Sequence, residues 1–250
     1  MSDDAVVSGQ TTGGGLSQVE RVVDVFIAPS KTFTDILRSR SVWLPIVLSI
    51  IFSLATAWTM QKKVGFSQMY QTSLAQSPSQ QEQMDSLPPD QRAARMKVGA
   101  AITEGISYGY WALGLIFAAI AALVLWGSFN FLAGAKTSFS EMFAVWLYAG
   151  LTGLVGAVLI IIMLVATGGD NFNVQDPIGT NLGYFLGADS AHWLKSLLGS
   201  FDLLVFWFMA LLIIGTSIVA KVKRSTAAAI IIGWWVLIVV VKTAFAAMMS

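Results

Sequence analysis

The sequence predicts an all-α polytopic membrane protein, a bundle of five transmembrane helices preceded by an amphipathic N-terminal segment. Hydrophobic residues make up 56% of the 250 residues, charged residues only 12%, and the mean hydropathy is +0.70. An ordinary soluble domain is about 25% charged. The charges are also segregated, because five largely apolar windows of 17 or more residues contain none. These windows show no two-residue alternation, which disfavours membrane β-strands.

Net charge and residue types exclude several functional classes. A net charge of +1 leaves no basic excess for binding nucleic acid, so no nucleic acid is expected among the partners. The chain has no cysteine and one histidine, which argues against thiolate and histidine metal sites. Phosphate-loop, zinc-hydrolase and nucleophile-elbow motifs are missing from the sequence. We therefore predict a non-enzymatic protein without a cofactor.

The N-terminal part divides into two regions. Residues 1–15 are rich in glycine and polar residues and are expected to form a disordered tail. Residues 16–41 carry apolar residues at helical spacing, interrupted by Pro29, and predict two short amphipathic helices. Such helices either lie on an anionic leaflet or pack against the membrane bundle, and the sequence favours neither. The residues expected to contact the membrane surface or a partner are Phe26, Pro29, Lys31, Phe33, Arg38 and Arg40.

Residues 42–250 are predicted to form the membrane domain. A bilayer core of about 30 Å requires roughly 20 helical residues, and the charge-free windows have this length. The spans are predicted at about residues 42–60, 108–133, 143–167, 202–221 and 225–248. The longer connections, residues 62–104 and 168–200, then lie on the side opposite the N-terminus.

The distribution of lysine and arginine predicts the orientation. Eight of these residues lie on the side of the N-terminus, near the ends of the spans, and six lie on the opposite side. Cytoplasmic segments carry the excess of positive charge. We therefore expect the N-terminus in the cytoplasm and the C-terminus outside.

Intramembrane charge is sparse. Lys242 lies within the last span, and the predicted topology places Asp202 at the same surface, so the two residues are candidates for an intramembrane ion pair. In the alternative, Lys242 extends its side chain to the interface while its methylene stem remains in lipid. A channel or transporter would use such a pair, although the spans otherwise contain only hydroxyl groups near their middle.

Small residues recur every four positions on three spans. Such stripes allow helices to approach closely in lipid, either within one bundle or between two copies of the chain. The predicted packing residues are Gly114, Ala118, Ala122, Ala149, Gly153, Ala157, Ala229 and Gly233.

Three segments carry a family resemblance. The run from Asp24 to Ile36, followed by Trp43-Leu-Pro, resembles the entry segment of the Yip family in its bacterial branch. The run Ser138–Tyr148 is similar to the approach to the third helix of that family. The run Phe201–Trp207 and the basic turn at Lys221 resemble its final helical hairpin. The chain has Gly150 and Gly153 where the family usually has a proline.

The resemblance implies a five-span integral membrane protein with a cytoplasmic N-terminus and no known catalysis. Eukaryotic members act in vesicle trafficking through partners, and bacterial members are often accessory to ABC-type efflux systems. We therefore expect a scaffold or accessory protein of a bacterial inner membrane that contacts the lipid bilayer and a membrane-protein partner or a second copy of itself. The alternatives are a small-solute transporter or channel and a membrane-remodelling protein.

Overall fold

A computed structural model describes residues 15–75, 77–169, 172, 176–187 and 190–248. The tail predicted for residues 1–15 lies outside these ranges except for Gly15. The helices are α1 (Gln18–Ile27), α2 (Pro29–Ile36), α3 (Trp43–Lys63), α4 (Phe66–Ala75), α5 (Pro78–Asp85), α6 (Pro89–Leu132), α7 (Phe139–Ala149), α8 (Thr152–Thr167), α9 (His192–Leu198), α10 (Leu203–Val219) and α11 (Arg224–Met248), with a short 3₁₀ helix at Leu182–Phe185.

The predicted fold class is confirmed. Within the described ranges, four helical stretches are long and apolar enough to cross a bilayer: Trp43–Lys63, Pro89–Leu132, Phe139–Thr167 and Arg224–Met248. A fifth apolar helix, α10, is shorter and packs against α7, α8 and α11. The chain is therefore an all-α polytopic membrane protein.

The helix α6 is much longer than a membrane span. Its 44 residues begin at Pro89, which occupies the first turn, where proline is tolerated. At 1.5 Å per residue the helix is about 66 Å long, roughly twice the thickness of the bilayer core. The charge-free window in the sequence predicted only the second half of α6. Charged residues in the first half end the hydrophobic window, but they do not end the helix.

The third apolar stretch bends between α7 and α8. The amide of Leu151 donates to the carbonyl of Tyr148 (3.2 Å), and the amide of Gly153 donates to that of Gly150 (2.9 Å). These bonds to the third preceding residue tighten the backbone locally, as in a 3₁₀ turn. The bend separates α7, which contacts the N-terminal helices, from α8, which packs along α3.

The two ends of the bundle carry different structures. The helices α1 and α2 form an antiparallel pair, which we call the N-terminal hairpin. The hairpin precedes α3, so it lies at the end of the bundle where α3 begins. We call this end the hairpin side. The helices α4 and α5 follow the end of α3, and α4 packs on the first half of α6. That opposite end is called the α4–α5 side.

The buried core is concentrated around the N-terminal hairpin. Fully buried apolar side chains of the hairpin join those of α6, α7, α10 and α11 in one cluster. Its members with no exposed surface are Val25, Phe33, Ile36, Ala122, Phe129, Met142, Ala144, Val145, Tyr148, Ala149, Leu151 and Ala227. The N-terminal hairpin is therefore part of the bundle.

Candidate functional site

The N-terminal hairpin is built by local sequence signals. Ser17 caps α1 and accepts a hydrogen bond from the amide of Glu20 (3.2 Å), while the Glu20 carboxylate accepts one from the amide of Ser17 (2.7 Å). This reciprocal capping box satisfies two free amides at the helix start. Pro29 lies in the first turn of α2, so the chain leaves α1 and enters α2 through Ala28 alone.

A buried arginine holds the two helices together. Arg21 has 0% exposure, and its guanidinium binds the Asp35 carboxylate through Nε (2.7 Å) and Nη2 (2.6 Å). Its Nη1 donates to the carbonyls of Ser39 (2.8 Å) and Ser41 (3.3 Å). A buried charge is tolerated only when it is paired and its donors are bonded, and the partners of Arg21 meet both conditions. We call Arg21, Asp35, Ser39 and Ser41 the Arg21 network.

Asp35 also binds a second arginine. Arg38 donates to the Asp35 carboxylate from Nε (2.8 Å) and reaches the carbonyl of Leu16 with Nη2 (3.3 Å). Burial raises the pKa of the Asp35 carboxyl, but the hydrogen bonds from Arg38 and Arg21 outweigh burial and hold that pKa below its usual value. The carboxylate therefore stays ionised at neutral pH.

Two polar contacts join the N-terminal hairpin to α7. Arg40 pairs with Glu141 (2.7 Å), whose carboxylate also accepts hydrogen bonds from the Ser138 amide (2.8 Å) and the Thr137 hydroxyl (3.0 Å). The Tyr148 hydroxyl lies 2.9 Å from Oε1 of Gln18 and 3.1 Å from the carbonyl of Ser41. Polar atoms at both ends of α7 thus bind the base of the hairpin.

An apolar contact fixes α2 on α10. The ring of Phe33 lies in a notch at Gly215, where an added Cβ would come within 2.9 Å of that ring and 2.6 Å of Val145. Nearer the turn of the hairpin, Phe26 packs edge-on against Trp207, with ring centroids 5.5 Å apart. The glycine allows the close approach, because any larger side chain would displace Phe33 or Val145.

These contacts correct the prediction for Phe33. Its side chain is fully buried, so it cannot contact lipid or a partner. Phe26 is half-buried against α10, Pro29 is half-buried at the turn, and Arg38 and Arg40 are each bound to a carboxylate. Helical spacing predicted an apolar face correctly but could not show that α7 and α10 cover it.

The surface of the N-terminal hairpin that remains exposed has two parts. Val19, Val23 and Ile27 are spaced four residues apart on α1 and are at least half exposed. The polar face of α2, which consists of Ser30, Lys31 and Thr34 together with Arg38 just after the helix, is also exposed. With Gly15, Leu16 and Asp35, this polar face lines an open cleft of about 600 Å³. Of the predicted contact residues on this face, Lys31 is exposed, and Arg38 is exposed but paired with Asp35.

The structure does not bring Asp202 and Lys242 together as an ion pair, although both residues are described. The Asp202 carboxylate caps α10, accepting from the amides of Leu204 (2.7 Å) and Val205 (3.3 Å) and from the hydroxyl of Thr180 (2.7 Å). Aspartate is among the preferred residues at a helix N-cap. The predicted pair is therefore replaced by a cap, and Lys242 remains exposed on α11.

The predicted small-residue stripes are only partly used within the bundle. Ala118, Ala122 and Ala149 are buried, Ala157 is half-buried and Ala229 is exposed. A Cβ added at Gly114, Gly153 or Gly233 would meet no described atom within 4 Å. Close packing instead occurs at Gly215 and Gly156, which were not in the predicted set.

Sequence reasoning missed the Arg21 network. Arg21 lies four residues before Val25, on the buried face of α1. An arginine on an otherwise apolar helix face indicates a buried charge that needs a partner, and this signal was present in the sequence. Ser138 followed three residues later by Glu141 is likewise a capping-box pattern that is visible in the sequence. Asp35 gave no comparable signal, because its partners are set by the packing of the two helices.

No group of three metal-ligating side chains comes together in the part of the chain that the structure describes. The site is therefore a set of packed and paired side chains that positions a surface, with exposed apolar residues on α1 and exposed polar residues on α2.

Comparison with known proteins agrees with this architecture. No curated protein and no solved structure matches the chain. The Yip1 domain model matches residues 23–245, which includes most of the N-terminal hairpin and all the apolar helices through most of α11. The match covers far more than half of the chain, and the chain therefore belongs to the Yip1 family.

Proposed function

We propose that this Yip1-family protein is a non-enzymatic membrane scaffold or accessory protein, and that the exposed polar face of α2 binds a membrane-protein partner. The observation that carries the proposal is the Arg21 network, which holds α1, α2 and the segment leading into α3 in one arrangement, while Arg40, Tyr148 and Phe33 attach that arrangement to the bundle. A rigid surface binds at a lower entropic cost than a segment that must first become ordered. The partner we expect is a component of an ABC-type efflux or membrane-trafficking assembly.

Affinity purification of the tagged full-length chain from native membranes in mild detergent tests this proposal. Mass spectrometry is expected to recover one membrane protein reproducibly. Lys31→Glu reverses the charge on the α2 face and is expected to reduce that recovery several-fold. Lys223→Glu, at an exposed lysine in the α10–α11 turn, is the matched control and should recover the partner normally. Absence of a reproducible partner, or equal loss with both variants, would refute the scaffold proposal.

We place the N-terminal hairpin on the cytoplasmic side of a bacterial inner membrane. Lys31, Arg38 and Arg40 precede α3, and Lys221 and Lys223 lie in the α10–α11 turn at the same end of the bundle, which supports this orientation. Because the chain has no cysteine, single cysteines report topology directly. A membrane-impermeant thiol reagent added to intact cells should label Ser86→Cys and leave Ser30→Cys unlabelled. Labelling of Ser30→Cys but not of Ser86→Cys would show that the N-terminal hairpin faces away from the cytoplasm.

We also propose that Val19, Val23 and Ile27 face the acyl chains of the leaflet on the hairpin side. Phe26 lies next to this stripe and contacts Trp207, which is itself partly exposed on α10, so the apolar surface is continuous between the two helices. A nitroxide attached at Val23→Cys should be accessible to oxygen, whereas one at Ser30→Cys should be accessible to a water-soluble nickel complex. Equal nickel accessibility at both positions would place the stripe in water.

A further inference from the structure

The turn between α10 and α11 has a well-defined backbone on the hairpin side of the bundle. The amide of Lys221 donates to the carbonyl of Ile218 (3.2 Å), and the amide of Val222 donates to that of Ser217 (3.1 Å). These two bonds form a Schellman motif, which commonly ends a helix. The side chain of Val222 packs against the buried core, so the bundle holds this turn in place.

Lys221 occupies the left-handed position of the motif, with a φ of 54°. Glycine is the usual residue there, because a Cβ strains the backbone in the left-handed region. Among the described residues, Lys221 is the only one other than glycine with a positive φ. Backbone strain of this kind clusters at binding sites, where the surrounding structure maintains it. A lysine at this position therefore indicates a role beyond ending the helix.

The turn concentrates positive charge on its outer surface. Lys221, Lys223 and Arg224 are all exposed, whereas Val222 between them packs inward. α11 begins at Arg224, so the positive end of its helix dipole adds to these three side chains. We call Lys221, Lys223 and Arg224 the α10–α11 basic turn.

The carboxylates on the hairpin side do not neutralise the α10–α11 basic turn. Asp35 and Glu141 are paired with other arginines, and Glu20 belongs to the capping box of α1. Asp24 forms no ion pair with any described residue, and neither do the three cations of the turn. The turn therefore presents uncompensated positive charge to an anion from outside the chain.

The α10–α11 basic turn lies at the depth of lipid headgroups. Leu203–Val219 before it and residues 225–241 after it carry no charge, so both adjoining helices enter the hydrocarbon core directly from the turn. Phosphate groups of phospholipids occupy this boundary of the bilayer. Lysine and arginine form short, charge-assisted hydrogen bonds with phosphate oxygens.

We propose that the α10–α11 basic turn binds the phosphate of an anionic phospholipid in the leaflet on the hairpin side. Lys221, Lys223 and Arg224 donate to the phosphate oxygens, and the Schellman motif fixes the backbone that carries them. Basic residues next to membrane helices attract anionic lipids. The inference goes beyond the scaffold role and does not depend on it, because partner recovery tests the α2 face and lipid binding tests this turn.

Native mass spectrometry of the full-length chain in detergent tests the site with phosphatidylglycerol and phosphatidylcholine of identical acyl chains. Several-fold preferential retention of phosphatidylglycerol is expected, and Lys221→Gln combined with Lys223→Gln should abolish the preference. Lys62→Gln combined with Lys63→Gln, which removes two exposed lysines at the opposite membrane boundary, is the matched control and should keep it. Equal retention of the two lipids by the wild type, or the same preference in both double variants, would overturn the proposal.

Lys221→Gly separates lipid binding from the structure of the turn. Glycine relieves the left-handed strain, so thermal stability should be maintained or raised while the preference for phosphatidylglycerol falls several-fold. An undiminished preference in this variant would show that Lys221 only ends the helix, and would contradict the site.

Glycerophosphoglycerol, the same headgroup without acyl chains, distinguishes a lipid from a soluble phosphate. An equal concentration of it should leave bound phosphatidylglycerol in place, because the acyl chains hold the lipid beside α10 and α11. Displacement of the lipid at equal concentration would identify a soluble phosphate as the ligand and overturn the lipid proposal.

Discussion

The N-terminal hairpin and the first half of α6 are both amphipathic, but their faces are satisfied in different ways. In the hairpin, the apolar face formed by Val25, Phe33 and Ile36 and even the charge of Arg21 are buried within the chain, where each donor of Arg21 has a partner. In α6, Val98 and Ile102 remain exposed. An amphipathic pattern in a sequence therefore identifies the apolar face of a helix, but it does not identify which residues or molecules pack against that face. One face is covered within the chain, and the other is exposed in the described residues.

Replacement of Arg21 should have the largest effect on this comparison. Arg21→Met leaves Asp35 without its buried partner and is expected to lower the stability of the docked hairpin by about 3–5 kcal/mol. Limited proteolysis between α2 and α3, compared with cleavage elsewhere, measures the loss. The double variant Arg21→Met, Asp35→Leu should recover much of it. Equal protease resistance of Arg21→Met and the wild type would show that the network does not hold the hairpin.

Leucine substitutions at two glycines distinguish the buried contact at Gly215 from the exposed face of α6 at Gly105. Gly215→Leu forces a side chain into the notch that holds Phe33 and is expected to cost about 1–3 kcal/mol. Gly105→Leu enters open space and is expected to change the stability of the chain by no more than about 1 kcal/mol. Thermal unfolding in detergent provides the comparison. A larger loss with Gly105→Leu would mean that α6 is covered within the chain.

Acidification should weaken docking of the N-terminal hairpin through Asp35. Its pKa is lowered in the folded chain, so the carboxylate contributes stability above its ordinary pKa of about 3.9. That contribution is lost as the pH falls through the lower, folded-state pKa. Protease resistance of the hairpin should therefore be constant from neutral pH to about pH 5 and then decrease. Asp35→Asn should weaken this dependence and start from a lower value, because acid also removes the charge that Glu141 presents to Arg40. An unchanged profile in that variant would assign the whole effect to another group.

The smallest expected effect belongs to Arg40. Its side chain is half exposed, so its pairing with Glu141 is expected to contribute only about 0.5–1 kcal/mol. A double-mutant cycle with Arg40→Ala and Glu141→Gln isolates that contribution from the cap that Glu141 makes with Ser138. A coupling energy as large as that of Arg21 would show that the hairpin is held mainly at its base.

Much of the fold was predictable from the sequence. Charge-free windows of sufficient length predicted the apolar helices, because a bilayer demands both length and low charge. Pro29 predicted the boundary between the two short N-terminal helices. The sequence also indicates a helix that starts at Pro89, but its unbroken continuation into the second span was missed, since hydrophobic windows respond to charge rather than to helix propensity.

The candidate site was less predictable, because its contacts join distant parts of the chain. The notch at Gly215 that accepts Phe33 and the pairing of Arg40 with Glu141 depend on which helices become neighbours. Asp202 illustrates the opposite case: its role as the cap of α10 is local, yet the prediction sought a distant charged partner. For Arg40 and for Asp202, the sequence identified the side chain but not the group that it binds in the structure.

Hydrogen–deuterium exchange of the full-length chain in nanodiscs tests most directly whether the N-terminal hairpin is fixed to the bundle and whether its docking depends on the Arg21 network that holds α1 to α2. Amides in α1 and α2 should be protected in the wild type to an extent comparable with α7, because they open only when docking is lost. Arg21→Met should increase exchange in α1 and α2 while leaving α3 and α11 unchanged. Rapid exchange of α1 and α2 in the wild type, or exchange unaffected by Arg21→Met, would contradict the account.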